Sequence, residues 1–70
     1  MDIRMLTCLI IRKDGKYLVG RDMFGRFKWS NDLWDAWQTR IRANARSVHE
    51  KTGGEILLFN PAIGKVMPYE

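Results

Sequence analysis

Few side chains in this sequence are of the kinds that catalyse reactions or bind metals. The chain has one cysteine, Cys8, and one histidine, His49, which is followed by Glu50. One Cys and one His are too few for a Cys/His zinc site within a single chain, and His49-Glu50 lacks the second histidine of the H-E-x-x-H helix of zinc proteases. Cys8 lies within a strongly apolar run, which is typical of an inert buried thiol. We therefore expect no catalytic residue, no metal and no cofactor, in a protein that is not an enzyme.

The segment RSVHEKTG at residues 46–53 is a second candidate for chemistry. Its Arg-x-Val-x-Glu-x-x-Gly spacing resembles the end of the Nudix hydrolase box, whose glutamates hold a divalent metal. The strand-turn-strand sequence before it, IIRKDGKYLVGRD, is similar to the strand pair that leads into that box. Other positions of the box are occupied by Asp32, Gln38, Ser47 and Lys51. Only Glu50 remains of the carboxylates, and a hard cation needs several oxygen ligands. The resemblance therefore implies a degenerate Nudix-like fragment without activity.

The remaining chemical signal is positive charge beside aromatic rings. Twelve Lys and Arg against eight Asp and Glu give a net charge of +4 and a pI of about 9.6, which suits an acidic partner. Basic and aromatic residues cluster after the second predicted strand, and further arginines lie on the predicted helix. The candidate nucleic-acid contacts are Arg21, Arg26, Lys28, Trp29, Arg42 and Arg46. For the helix arginines, the alternative is a solvated face whose side-chain stems cover apolar surface.

The elements that must position these residues are those of a small antiparallel sheet. Residues 5–12 carry apolar side chains on both alternating sets, which predicts a strand covered on both faces, or one whose second face meets another chain. Asp14-Gly15 predicts a tight hairpin turn, because both central residues of a type I′ turn need positive φ. Further strands are predicted at residues 16–21, at residues 26–29 and over EILLF at residues 55–59.

A helix is predicted between the third and fourth strands. Residues 30–32, Ser-Asn-Asp, are three successive residues that can cap its start, and Gly53-Gly54 supplies the left-handed residue that ends it. The apolar residues between them lie on one stripe at helical spacing: Trp34, Trp37, Ile41, Ala45, Val48 and Thr52. Thr39 is a candidate second cap, so two helices broken near Gln38 are the alternative. The predicted fold class is α+β, a small antiparallel sheet of β-β-β-α-β order with one amphipathic helix packed on one face.

This order of elements is similar to that of the AP2-like DNA-binding domains, which lay a three-stranded sheet in the major groove. In those domains, strand arginines and tryptophans contact phosphates and bases. The similarity lies in element order, and EILLF adds a strand that the simplest version lacks. It implies a DNA/RNA-binding module with a basic-aromatic sheet surface formed by Arg21, Arg26, Lys28 and Trp29.

Because the first strand is apolar on both faces, our leading hypothesis is a non-enzymatic domain that acts by protein association. The expected partner is a second copy, in a homo-oligomer, or another protein, and the expected association surface is Met5, Leu9 and Ile11. Nucleic acid is the alternative partner, and no small-molecule substrate is evident.

Seventy residues make one domain at most and limit the size of its core. We expect residues 1–60 to form this domain, and residues 61–70 to be a C-terminal tail or an extra edge strand. The lone Cys8 cannot form an intrachain disulfide, and the apolar run at residues 5–11 is far shorter than the roughly 20 residues of a membrane helix. A cytoplasmic location and no membrane role are therefore expected.

Overall fold

The computed structural model describes residues 7–69, which form one antiparallel sheet and one α-helix. The elements in chain order are β1 (Cys8–Lys13), β2 (Lys16–Arg21), β3 (Phe27–Ser30), a 3₁₀ turn (Leu33–Asp35), α1 (Arg42–Thr52), β4 (Glu55–Asn60) and β5 (Lys65–Pro68). The strand order across the sheet is β3-β2-β1-β4-β5, and all neighbours are antiparallel. The α+β fold class and the helix packed on the sheet are confirmed. β5 is an edge strand, which was one of the two alternatives for residues 61–70.

Among residues 7–69, no helix is long and apolar enough to cross a membrane.

The central strand, β1, buries one set of side chains against β4. Cys8 and Ile10 pack with Leu57 and Phe59, which lie directly opposite on β4. Ala36, from the segment that follows the 3₁₀ turn, joins this cluster. The main apolar core therefore lies on this face, and fully burying a large apolar side chain such as Phe59 stabilises the fold by about 1.5–3 kcal/mol.

The other set of β1 side chains is covered by α1 and the turn that follows it. Leu9 and Ile11 are 6% and 0% exposed. Lys13, which is in the same alternating set, donates from Nζ to the carbonyl of Thr52 at 2.8 Å. A Cβ on Gly54 would lie 2.7 Å from Cγ2 of Ile11, so the chain can pass this closely only as glycine. The prediction of a strand covered on both faces is confirmed, and the cover comes from the same chain.

The prediction of a single helix was wrong at its N-terminal half, and the alternative of two helical pieces broken near Gln38 is closer to the structure. Asp32 does act as a cap, and its Oδ1 accepts from Trp34 N at 2.9 Å, but the helix that it opens is the single 3₁₀ turn. α1 begins only at Arg42, after Ile41, which has no side-chain capping bond. The predicted end is confirmed, because Gly53 has φ 74° and donates from its N–H to His49 O.

The chain between the two helical pieces is extended because it pairs with the sheet. Thr39 and Leu9 exchange two backbone hydrogen bonds, of 2.7 and 3.1 Å, and Trp37 N donates to Leu18 O at 2.7 Å. Residues 37–39 therefore occupy the gap between β1 and β2. Backbone groups satisfied by these distant strands have no need of helical partners.

The same insertion separates β2 from the main sheet. β2 pairs with β1 only through Lys16 and Tyr17, whereas its pairing with β3 continues to Arg21. An irregularity lies between Leu18 and Gly20, where the β2–β3 register shifts. The outer part of the β2–β3 hairpin, residues 20–28, is therefore a two-stranded ribbon that does not pair with β1. Gly20, Arg21 and Phe27 at its base line a pocket together with Trp37 and Val48.

Candidate nucleic-acid interface

The ribbon ends in a turn whose backbone is held by Asp22. Its Oδ1 accepts from the N–H groups of Phe24 and Arg26, at 2.9 and 3.0 Å. Asp22 N donates to Arg26 O at 2.9 Å, and Gly25 N donates to Asp22 O at 3.0 Å. Gly25 has φ 78°, which glycine adopts without steric strain. All four bonds lie within residues 22–26, so the hydrogen bonds that hold this turn are local.

This turn presents two large apolar side chains to solvent. Met23 is 89% exposed and Phe24 is 79% exposed, the highest fractions among the large apolar residues of the described chain. Sequence reasoning treated Phe24-Gly25 only as a turn signal and missed the pair. The available signal was the composition of the turn, since loop tips are ordinarily polar and an exposed apolar pair on an ordered tip indicates a contact surface.

Three of the predicted basic residues lie on the ribbon itself. Arg21 lies opposite Phe27, and its guanidinium carbon is 4.7 Å from the centre of that ring. Lys28 lies opposite Gly20, one residue along from the Arg21 pair, so its side chain leaves from the other face of the ribbon. Arg26 lies in the turn between them. All three are exposed, and no acidic side chain in the described part of the chain forms an ion pair with them.

The other three predicted contacts lie elsewhere. Trp29 is half-buried at the opposite end of β3, beside Lys16 and the β1–β2 turn. Arg42 lies over the ring of Tyr69 at 5.8 Å, and Tyr69 follows β5, the edge strand farthest from β3. Arg46 is exposed on α1, outside the β2–β3 hairpin. The structure therefore brings together Arg21, Arg26 and Lys28 only.

Two of the three residues of the predicted association surface, Leu9 and Ile11, lie inside the folded chain. Leu9 and Ile11 are buried by α1 and by the turn after it, so neither is available to a second copy. Met5 lies outside the described residues. A flat basic-aromatic sheet surface is also not present on β1 and β4, because α1 packs on one face and the segment around the 3₁₀ turn packs on the other. The projecting ribbon is the part of the sheet that stays accessible.

The residues first considered for catalysis lie outside the ribbon: Cys8 is in β1, and His49 and Glu50 are in α1. Burial raises the pKa of the Cys8 thiol above its usual range, and the charge of Arg40 opposes this shift more weakly. The Cys8 thiol donates to the carbonyl of Phe59 at 3.4 Å. His49 contacts the Gly54 carbonyl through Nδ1, and Glu50 is exposed. Within residues 7–69, no group of three or more His, Cys, Asp and Glu side chains is placed to hold a metal ion.

Comparisons of the chain with protein-family models, with curated proteins and with solved structures found no match. Function is therefore inferred from the residues of this chain.

Proposed function

We propose that this protein is a nucleic-acid-binding module that uses the β2–β3 ribbon as its contact element. The observation that supports the proposal is the placement of Arg21, Arg26 and Lys28 on two faces and the turn of one projecting ribbon. Proteins that bind DNA through β-ribbons place them in the major or the minor groove, and phosphates line both walls of each groove. Cations on both faces of a ribbon reach both walls, whereas cations on one flat surface reach fewer phosphates.

The absence of acidic partners strengthens this proposal. A cation that is already paired must give up its partner before it can contact a phosphate, whereas these three have none among the described residues. Asp22 is the acidic residue nearest to them in sequence, and its carboxylate accepts from two backbone N–H groups of the turn. Three cations against the one carboxylate of Asp22 leave residues 21–28 with a net charge of 3 − 1 = +2, which favours association with a polyanion.

The test is the salt dependence of binding to a fluorescently labelled duplex. Each neutralised phosphate contributes a slope of about 0.9 in log K against log salt, so the double variant Arg26→Ala/Lys28→Ala is expected to lower the slope by about two. The matched control is Lys51→Ala/Lys65→Ala, which removes the same charge from exposed positions off the ribbon. The control is expected to keep the wild-type slope. Equal losses from both double variants would show that only net charge matters and would refute a role for the ribbon.

Self-association is a second candidate, on a different surface from the one predicted. Trp34 and Ile63 are 60% and 64% exposed, and the Trp34 ring lies against Gly64, which follows Ile63. They form an apolar patch on the core face opposite α1. Pairing through sheet edges is less favoured, since β3 and β5 are only four residues long and each carries a lysine.

This candidate predicts a concentration-dependent dimer in light scattering after size exclusion. Ile63→Asp should place a charge in the patch and shift the equilibrium to monomer, while Met23→Asp, at the ribbon tip, should leave it unchanged. A wild-type chain that stays monomeric up to millimolar concentration would rule out self-association.

A further inference from the structure

Binding to phosphates does not account for the apolar tip of the ribbon. A turn that only carries cations to a polyanion would be expected to have polar residues at its end. Met23 and Phe24 instead project from a turn that four hydrogen bonds hold in place. Because the turn is ordered before binding, little conformational entropy is lost when the two side chains enter a contact.

We propose that Met23 and Phe24 form a wedge that inserts between adjacent base pairs of duplex DNA from the minor groove and bends the duplex. The inference rests on the proposed function. Met and Phe are among the side chains that proteins use to unstack a base step in this way, kinking DNA toward the major groove. The flanking cations favour DNA over an apolar pocket of a protein, because Arg21 and Arg26 lie within two residues of the pair and can contact the phosphates on either side of an opened base step.

The dimensions of the ribbon couple insertion to bending. Its two strands are about 4.8 Å apart before side chains are added, and the minor groove of B-DNA is only about 6 Å wide. The ribbon therefore enters only where that groove opens. Unstacking a base step from the minor-groove side opens the groove and bends the helix away from the protein. A duplex with a weakened step should bind more tightly, because less stacking is lost.

The experiment uses a duplex of about 30 base pairs with a donor and an acceptor dye at its two ends, a length over which a protein-induced bend changes the end-to-end distance. One form is fully paired and the other has a central mismatch. For the wild-type chain we expect energy transfer to rise on binding, and the mismatched duplex to bind about tenfold more tightly, because it is already partly unstacked.

The deciding variant is Met23→Ala/Phe24→Ala. It is expected to keep the wild-type salt slope, since the cations remain, but to lose both the rise in energy transfer and the preference for the mismatch. Met23→Leu/Phe24→Leu should restore both, because leucine is also an effective wedge. Ile63→Ala is the matched control, since it removes a similarly exposed apolar side chain off the ribbon and should change neither readout. Circular dichroism should show all four chains folded.

The outcomes separate this inference from the proposed function. Salt-dependent binding by the wild type, without a rise in energy transfer or a mismatch preference, would refute the wedge and leave the basic ribbon standing. Failure to bind any duplex at low salt would refute both. If the same protein then bound phosphatidylserine vesicles, and Met23→Ala/Phe24→Ala did not, the tip would be assigned to a membrane surface and the DNA wedge would be wrong.

Discussion

The β2–β3 and β4–β5 hairpins lie on opposite sides of one sheet and close with the same local chemistry. In each, a side-chain oxygen at the start of the turn, on Asp22 or Asn60, accepts from the backbone N–H two residues later. A glycine with positive φ lies further along each turn. The surroundings differ. Asn60 is 4% exposed and the Trp34 ring covers the second turn, whereas Met23 at the tip of the first is 89% exposed.

The difference comes from the neighbouring strand in each case. β4 pairs with β1 along five residues, so the β4–β5 hairpin is held along its whole length. β2 pairs with β1 through only two residues, because residues 37–39 take the place of the rest. Similar turn chemistry therefore closes a hairpin that is anchored to β1 at one edge and a hairpin that is mostly unpaired with β1 at the other. Long-range pairing, rather than the turn sequence, determines which hairpin is separated from β1.

Two phenylalanines give the sharpest test of this contrast. Phe59→Ala in β4 is expected to destabilise the protein by about 3–5 kcal/mol, because Phe59 is fully buried and its removal leaves a cavity. Phe24→Ala at the ribbon tip, where the side chain is 79% exposed, should change stability by less than about 0.5 kcal/mol. Urea unfolding followed by tryptophan fluorescence measures both. Comparable losses would mean that the ribbon tip is packed and that the contrast between the hairpins is wrong.

The two residues that hold the turns give a smaller difference. Asn60→Ala removes an acceptor at a buried site and is expected to destabilise the protein by about 1–3 kcal/mol. Asp22→Ala removes two hydrogen bonds at an exposed turn, where water can replace the acceptor, and should destabilise the fold by about 1 kcal/mol or less. Hydrogen exchange should show the Asp22→Ala effect confined to the amides of Phe24 and Arg26. Faster exchange throughout β1 would contradict a locally determined ribbon tip.

The pH dependence of stability tests the packing of Cys8 in the core between β1 and β4. Its pKa is raised in the folded chain, so the unfolded chain loses its thiol proton at lower pH than the folded chain. The contribution of Cys8 to stability is therefore fully present below the unfolded thiol pKa and is lost as pH rises toward the folded value. The fall in unfolding free energy over that range should be smaller in Cys8→Ala than in the wild type. Variants at Met23 or Phe24 should show the same fall as the wild type. Equal pH profiles for wild type and Cys8→Ala would contradict a contribution of the Cys8 thiol.

The smallest expected effects are those of two cross-strand pairs. Arg12 and Glu55 form a partly exposed 2.8 Å ion pair between β1 and β4, and the coupling energy of such pairs is about 0.2–1 kcal/mol and falls with salt. Arg21 and Phe27 form a cation-π pair within the ribbon, with a coupling of about 0.5–1 kcal/mol at an exposed site. Double-mutant cycles at low and high salt should show a larger proportional loss for the ion pair. A stronger salt effect on Arg21–Phe27 would indicate that the ribbon cation interacts with an unseen anion.

The features predicted correctly from sequence are those decided by neighbouring residues. The bounds of β2 were predicted, and the Asp14-Gly15 turn has the positive φ values that its sequence requires, 53° and 77°. The end of α1 at Gly53 was predicted for the same reason. β3 was predicted one residue early, at residues 26–29, because Arg26 closes the turn through its N–H instead of starting the strand.

The start of the helix was mispredicted because local signals were outweighed by distant ones. Asp32 caps a helical turn as its residue type indicates, and Trp34 and Trp37 are spaced as on a helix. The backbone at Trp37 and Thr39 nevertheless pairs with Leu18 and Leu9. Those two strands are far away in sequence, so no local pattern could reveal that their edges needed partners.

The candidate site also has residues that local sequence predicted correctly and residues that it misplaced. Sequence identified Arg21, Arg26 and Lys28 as a basic group, because the three lie within eight residues of one another around a turn. It also counted Trp29 in that group and predicted the helix arginines Arg42 and Arg46 as further contacts, and these three residues lie elsewhere in the fold. Leu9 and Ile11 were assigned to an outer surface, although alternation along a strand shows only that both faces are covered and not by what.

The sequence by itself therefore determined the fold class, the strand-turn-strand unit at Asp14-Gly15, the end of α1 and the basic character of the second hairpin, because residue type and near neighbours decide each of them. Only the tertiary structure decided that β1 is enclosed by its own chain, that residues 37–39 separate β2 from β1, and that Met23 and Phe24 project into solvent. These features depend on hydrogen bonds and packing between segments far apart in sequence, and no local pattern records which segments will meet.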